Sequence, residues 1–102
     1  MIKIVIRTDE SSHKITSIEV KGHSGKDVYG KDLVCAAVSA ILTGGMNALK
    51  DKEYDFKLTE GDAHIKALDI PSDYDAVVLK TIETQLATVE ESDPKFIKIE
   101  IL

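Results

Sequence analysis

Apolar residues recur at every second position where the chain begins. Ile2, Ile4 and Ile6 alternate with Lys3 and Arg7, the period-two pattern of a strand with one buried face. Residues 9–14 form a polar turn. A second run over 15–21 then sets Ile18 and Val20 on one side and Ser17, Glu19 and Lys21 on the other. So short a connection predicts an antiparallel hairpin. Val34, Val38, Ile41, Leu42 and Leu49 fall near helical spacing, and Asp32 is the expected cap of a helix over about 33–50. Ala36, Ala37, Ala40, Gly44 and Gly45 make this helix slim enough for a sheet or a second subunit to approach its backbone. The two glycines, each costing about 1 kcal/mol relative to alanine in a helix interior, predict a bend, an early end or close packing.

Alternation returns at Tyr54, Phe56 and Leu58 and again at Ala63, Ile65 and Ala67, with Glu60-Gly61-Asp62 supplying turn residues between them. These runs read as a second hairpin. Ser72 caps a second helix over about 73–91, and Asp75, three residues on, resembles the far half of a capping box. Tyr74, Val78, Ile82, Leu86 and Val89 form the expected buried stripe of that helix. Pro94 ends it, and Ile97, Ile99 and Ile101 make a last strand. The order is ββαββαβ. It predicts one α+β domain over residues 1–102, a two-layer sandwich of a mainly antiparallel sheet with two helices on one face.

Composition narrows the function classes. The chain has 102 residues, 43% hydrophobic and 30% charged, which suits a soluble domain with one modest core. A formal net charge of -5 argues against direct nucleic-acid or anionic-membrane binding and favours, if anything, a basic protein partner. A single cysteine cannot form an internal disulfide and suits a reducing compartment. The first seven residues alternate too strongly for a signal peptide, and no apolar run approaches the roughly 20 residues that span a bilayer. A cytoplasmic protein is expected.

Candidate chemistry concentrates in residues 22–40, Gly-His-Ser-Gly-Lys-Asp-Val-Tyr-Gly-Lys-Asp-Leu-Val-Cys-Ala-Ala-Val-Ser-Ala. With Asp32 as cap, Cys35 is the third helical residue, where backbone N–H groups and the positive end of the helix dipole favour an anion. The same cysteine also fits as a small apolar packing residue. His23, twelve residues upstream, can serve as a base for the thiol or simply end a strand in water. Asp32 has two competing roles, helix cap or orienter of His23. Ser39 lies one helical turn after Cys35, placed to touch a peptide or to bond a backbone carbonyl. Residues 25–31 read either as a flap over a substrate or as an irregular surface loop. They lack the residues of a phosphate cradle. His13 and His64 read as surface residues, and one cysteine with three scattered histidines is not a metal-ligand pattern. No cofactor is called for.

Gly22, His23, Gly30, Asp32, Cys35, Ala36 and Ser39 together resemble the signature of the bacterial ribosomal-processing cysteine protease family, Prp. That signature runs Gly-His-Ala, a loop, Gly-x-Asp, an apolar pair, Cys-Ala and a Ser four residues after the Cys. Ser24 stands here where Ala is usual. The resemblance implies a Cys/His endopeptidase that forms a homodimer and removes the short N-terminal extension of a large-subunit ribosomal protein, the twenty-seventh by convention, after a pair of aromatic residues. Carried onto this chain, it makes Cys35 the nucleophile, His23 the general base and then acid, Gly22, Ser39 and Asp32 substrate contacts, and residues 25–31 the gate. Two rivals remain: a non-catalytic ribosome-associated binding or assembly module in which Cys35 is packing, and a thiol enzyme of another class.

Overall fold

The computed structural model describes residues 1–23, 32–51 and 53–102. In chain order the elements are β1 (Ile2–Thr8), β2 (Ile15–Lys21), α1 (Leu33–Ala48), β3 (Tyr54–Thr59), β4 (Asp62–Ala67), α2 (Asp73–Ser92) and β5 (Ile97–Ile101). The ββαββαβ order is as expected, with α1 ending short of Lys50 and α2 running past Glu91. The strands form one sheet in the order β3-β4-β2-β1-β5. It is mixed: β1–β2, β2–β4 and β3–β4 are antiparallel, whereas β5 joins β1 in parallel. Both helices pack on one face. Ile4, Ile6, Ile18 and Ile65 from the sheet meet Leu42, Leu79, Ile82 and Leu86 from the helices in a single buried cluster.

Three local expectations are corrected or refined. Helix α1 runs unbroken through both glycines, and Gly45 lies so close against Ile82 of α2 that a Cβ would have no room. Close packing is therefore the reason for that glycine. Ser17, expected on the solvent side, is only 8% exposed. It sits on a central strand between Arg7 of β1 and Lys66 of β4, next to a register irregularity at Arg7 and Thr8, and such long neighbours shield a small side chain. The buried stripe of α2 also differs. Tyr74 is exposed and lies beneath the Lys50 ammonium, 4.2 Å from the ring centre, while Asp75 and Leu79 are buried.

Asp75 explains that rotation. The Ser72 hydroxyl accepts the Asp75 N–H at 3.2 Å, but the Asp75 carboxylate does not complete a capping box. It accepts instead the N–H groups of Lys50 and Asp51 and the hydroxyl of Tyr54, each at 2.9 Å. The Ser72 N–H turns to Asp51 Oδ2, also at 2.9 Å. One carboxylate, 0% exposed, thus ties the end of α1, the start of β3 and the first turn of α2 together. Burial alone would raise its carboxyl pKa, but the Lys50 and Asp51 N–H groups and the Tyr54 hydroxyl outweigh it and hold the value below the usual carboxylate range. Burial, then Asp75, pushes the Tyr54 phenol up.

A carboxyl lowered in the folded state stabilises the fold above its unfolded pKa of about 3.9, and that contribution disappears as pH falls through the folded value. Asp75→Ala, which also orphans three part-buried donors, is expected to cost about 3 kcal/mol at pH 7. Urea unfolding at pH 7 and below pH 3 should show the gap between wild type and variant narrowing in acid. A gap independent of pH would show that the carboxylate charge is not what matters there.

Candidate active site

The topology brings β2, β4 and the start of α1 to one place. Lys21, the last residue of β2, pairs with Asp62, the first of β4, and just beyond it the Gly22 N–H donates to the Gly61 carbonyl at 2.9 Å. The end of β2 and the β3–β4 turn are thereby locked side by side. Asp62 secures the turn from the other face. It accepts from Lys21 Nζ and Lys57 Nζ, both at 2.5 Å, and these two ammonium groups hold its carboxyl down to about 2. Opposite this turn stands the first turn of α1. A cleft of about 440 Å³ between them is lined by Gly22, His23, Asp32, Cys35 and Ser39, which are all five of the candidate residues.

Asp32 is the cap of α1. Its Oδ1 accepts the N–H of Val34 at 2.9 Å and of Cys35 at 3.1 Å. Its Oδ2 accepts the Cys35 thiol at 3.3 Å. The cap and the thiol are therefore one hydrogen-bonded unit, with Cys35 at the third helical position and half-buried. In this resting arrangement the thiol proton is directed at a carboxylate. The N–H groups of Val34 and Cys35, natural donors for an oxyanion at a helix start, are likewise engaged by Asp32. Ser39 follows one turn later, exposed in the cleft wall.

His23 stands across the cleft, exposed, two residues beyond the end of β2. Its imidazole rests on the β3–β4 turn: a Cβ built on Gly61 would fall 2.8 Å from His23 Nε2. Gly61 also has φ +74, which an L side chain rarely adopts. The backbone asks for glycine at 22 as well, where φ is +91 and a Cβ would meet the Met1 carbonyl oxygen at 2.5 Å. The flap expected over residues 25–31, and with it Gly30 of the motif, lies outside the described residues. Of the other histidines, His13 is exposed as expected, with φ 61, whereas His64 is half-buried and bonds Asp55 Oδ2 through Nε2 at 3.1 Å.

Pattern reading marked Glu60-Gly61-Asp62 only as a turn and missed that it forms the wall facing Cys35. The missing information was the β2–β4 pairing, which a strand pattern does not carry. Gly61→Ala should push the imidazole off the turn and cost about 1 kcal/mol of stability through its backbone. The His23 ring signals in a long-range ¹H–¹⁵N spectrum report this directly. Unmoved signals in a folded variant would mean that the ring does not rest on Gly61.

Comparison with known proteins identifies the family. The sequence model of the family described as cysteine protease Prp matches residues 1–98. The ribosomal processing cysteine protease Prp of Staphylococcus aureus is 31% identical over 96 residues, covering 89% of this chain and 90% of that protein. The crystal structure of S. aureus Prp with a covalently linked product peptide superposes with a TM-score of 0.91 at 31% identity, and that with a substrate peptide with 0.86 at 29%, each covering 100% of both chains. A thiol at a helix start, an imidazole across a cleft and this likeness over nearly the whole chain lead to one conclusion: the protein belongs to the Prp family of cysteine proteases.

Proposed function

We propose that this chain is a ribosomal processing protease that removes the short N-terminal extension of a large-subunit ribosomal protein, the twenty-seventh by convention, by cutting after an aromatic pair. The observation that carries the reading is the thiol of Cys35 and the imidazole of His23 lining one open cleft. The S. aureus relative carries a ribosomal-processing name, and its structures hold a substrate peptide and a covalently linked product peptide. A covalent link to a peptide is the outcome nucleophilic catalysis produces.

Cys35 Sγ attacks the scissile carbonyl carbon as its proton passes to His23. The tetrahedral intermediate collapses, the C–N bond breaks, and His23 returns the proton to the leaving amine. Water then adds to the thioester with His23 again as base, releasing the new carboxyl terminus and the thiol. Because the resting thiol donates to Asp32, the cycle begins with Sγ turning from Asp32 toward the imidazole. Gly22, Ser39 and Asp32, all in the cleft, serve as substrate contacts. The net charge of -5 suits a basic precursor, through encounter rate more than specificity. The active unit is a cytoplasmic homodimer. An apolar groove of about 640 Å³ along the outer sides of α1 and α2, with Ala40, Gly44 and Val77 among its lining residues, offers a second copy its surface.

Incubation with the extended precursor, read by intact mass, tests the dyad. Wild type should release one fragment ending in the aromatic pair. Cys35→Ala and His23→Ala, each folded, should lose at least about a thousandfold in rate. A Cys35→Ala chain that still cuts like wild type would return Cys35 to a packing role and favour the binding-module alternative. For the dimer, sedimentation of wild type should give twice the chain mass. Val77→Asp, placing a charge where a 67% exposed apolar side chain lines the groove, should shift it to monomer.

A further inference from the structure

Among the described residues β3 is an edge strand of the sheet beside the cleft, and beyond half-buried Tyr54 its apolar row is left half-exposed. In the β3–β4 register Phe56 is opposite Ile65 and Leu58 opposite Ala63, so these side chains point to the helix-covered face. Ile65 and Ala63 are 0% and 4% exposed there, yet Phe56 and Leu58 are 45% and 47% exposed. The helix layer thus covers the start of β3 at Tyr54 but not Phe56 and Leu58. Half-exposed large apolar groups on an edge strand invite aggregation, and natural sheets avoid them unless they serve contact.

We infer that Phe56 and Leu58 form the ledge on which the substrate peptide lays its large aromatic or aliphatic side chains as it enters the cleft. The inference rests on the reading of that cleft as the place of cleavage. Continuity commits the ledge to this occupant. Leu58 lines the Cys35 cleft itself, together with Ala36 and Ser39 of α1, whose small side chains leave room for a peptide backbone. Phe56 follows on the same face about 7 Å along the strand, the interval at which an extended peptide repeats its own side chains on one face. The ledge is also pre-formed. The Phe56 ring stacks on Tyr54 at 5.4 Å and 7°, and the Tyr54 hydroxyl is held by buried Asp75. A stacked, anchored ring loses little freedom when a second apolar group lands on it. The apolar groove on the outer side of α1 and α2 shares no lining residue with the cleft, so a partner copy has its own surface.

The test separates recognition from chemistry. In a Cys35→Ala background, fluorescein-labelled peptides spanning the precursor cleavage site carry Phe, Leu or Ala at one member of the aromatic pair and at the residue two before it, the spacing that shares one face of an extended peptide, and anisotropy reads binding. The unaltered ledge should bind the Phe peptide about tenfold or more tighter than the Ala peptide, as burial of a large apolar side chain implies. Adding Phe56→Ala or Leu58→Ala should remove most of that preference, and Phe56→Leu should restore part of it. Equal preference with and without the ledge side chains, in variants that melt like the parent, would overturn the proposal. So would loss of the dimer in Phe56→Ala with peptide binding intact, which would make the ledge a subunit contact. Failure of the catalytic reading shows elsewhere, as cleavage by Cys35→Ala, and leaves this binding result standing.

Discussion

One buried carboxylate joins three elements at a point. The N–H groups of Lys50 and Asp51 at the exit of α1 and the hydroxyl of Tyr54, the first residue of β3, all end on Asp75 in the first turn of α2, and the Ser72 N–H on Asp51 and the Lys50 ammonium over Tyr74 reinforce the same junction. A fully buried charge is costly to desolvate and is tolerated only when its hydrogen-bond capacity is met. Here three donors meet it, and the result is directional in a way that apolar packing is not. The cluster of isoleucines and leucines supplies most of the driving force but would accept several angles between helix and sheet. Asp75 selects one. That choice fixes the start of β3 against both helices, while the β2–β4 pairing and the Gly22 N–H to Gly61 carbonyl bond set Gly61 against the end of β2.

At the other end of the cleft a second carboxylate does two jobs that compete. Asp32 caps α1 and also receives the Cys35 thiol. Capping alone would make Asp32 a stability residue. In the proposed reaction the thiol bond also makes it part of the resting state of Cys35, because a proton shared toward a carboxylate must leave it before sulfur can attack. The same carboxylate occupies the N–H groups of Val34 and Cys35. An oxyanion forming at this helix start therefore needs either a different donor or a displaced Asp32. Substrate arrival that rearranges this one side chain would release the thiol and two N–H donors in the same motion, a coupling that follows from the shared acceptor.

The elements were legible in the chain because each obeys a local period, two for the strands and near 3.6 for the helices. That the candidate residues would share one cleft was legible because the cap, the thiol in the first turn and the histidine near a strand end lie within one short stretch. What escaped reading is non-local. Tyr74 looked like core by spacing, but Asp75, polar and therefore placed outside, turned the helix by taking its partners from α1 and β3. Ser17 looked solvated by alternation, but a central strand lies between neighbours on both sides. Gly61 looked like an ordinary turn glycine. Its use under the His23 ring depends on β4 pairing with β2 rather than lying at the far edge, which strand periodicity cannot specify.

The open edge and the narrow helix layer have a common origin. Five strands at about 4.8 Å spacing present a surface about 24 Å wide, whereas two helices packed at the usual about 8–10 Å between axes cover about 20 Å at most. Close approach is what Gly45 against Ile82 provides, since the missing Cβ lets α2 reach the backbone of α1. A wider side chain at residue 45 would push α1 outward over β3. The cost of drawing the helices together is an edge strand left half open beyond Tyr54, at Phe56 and Leu58 beside the cleft. A small residue on α1, far along the helix from Cys35, thus helps to set how much of β3 lies open next to the thiol.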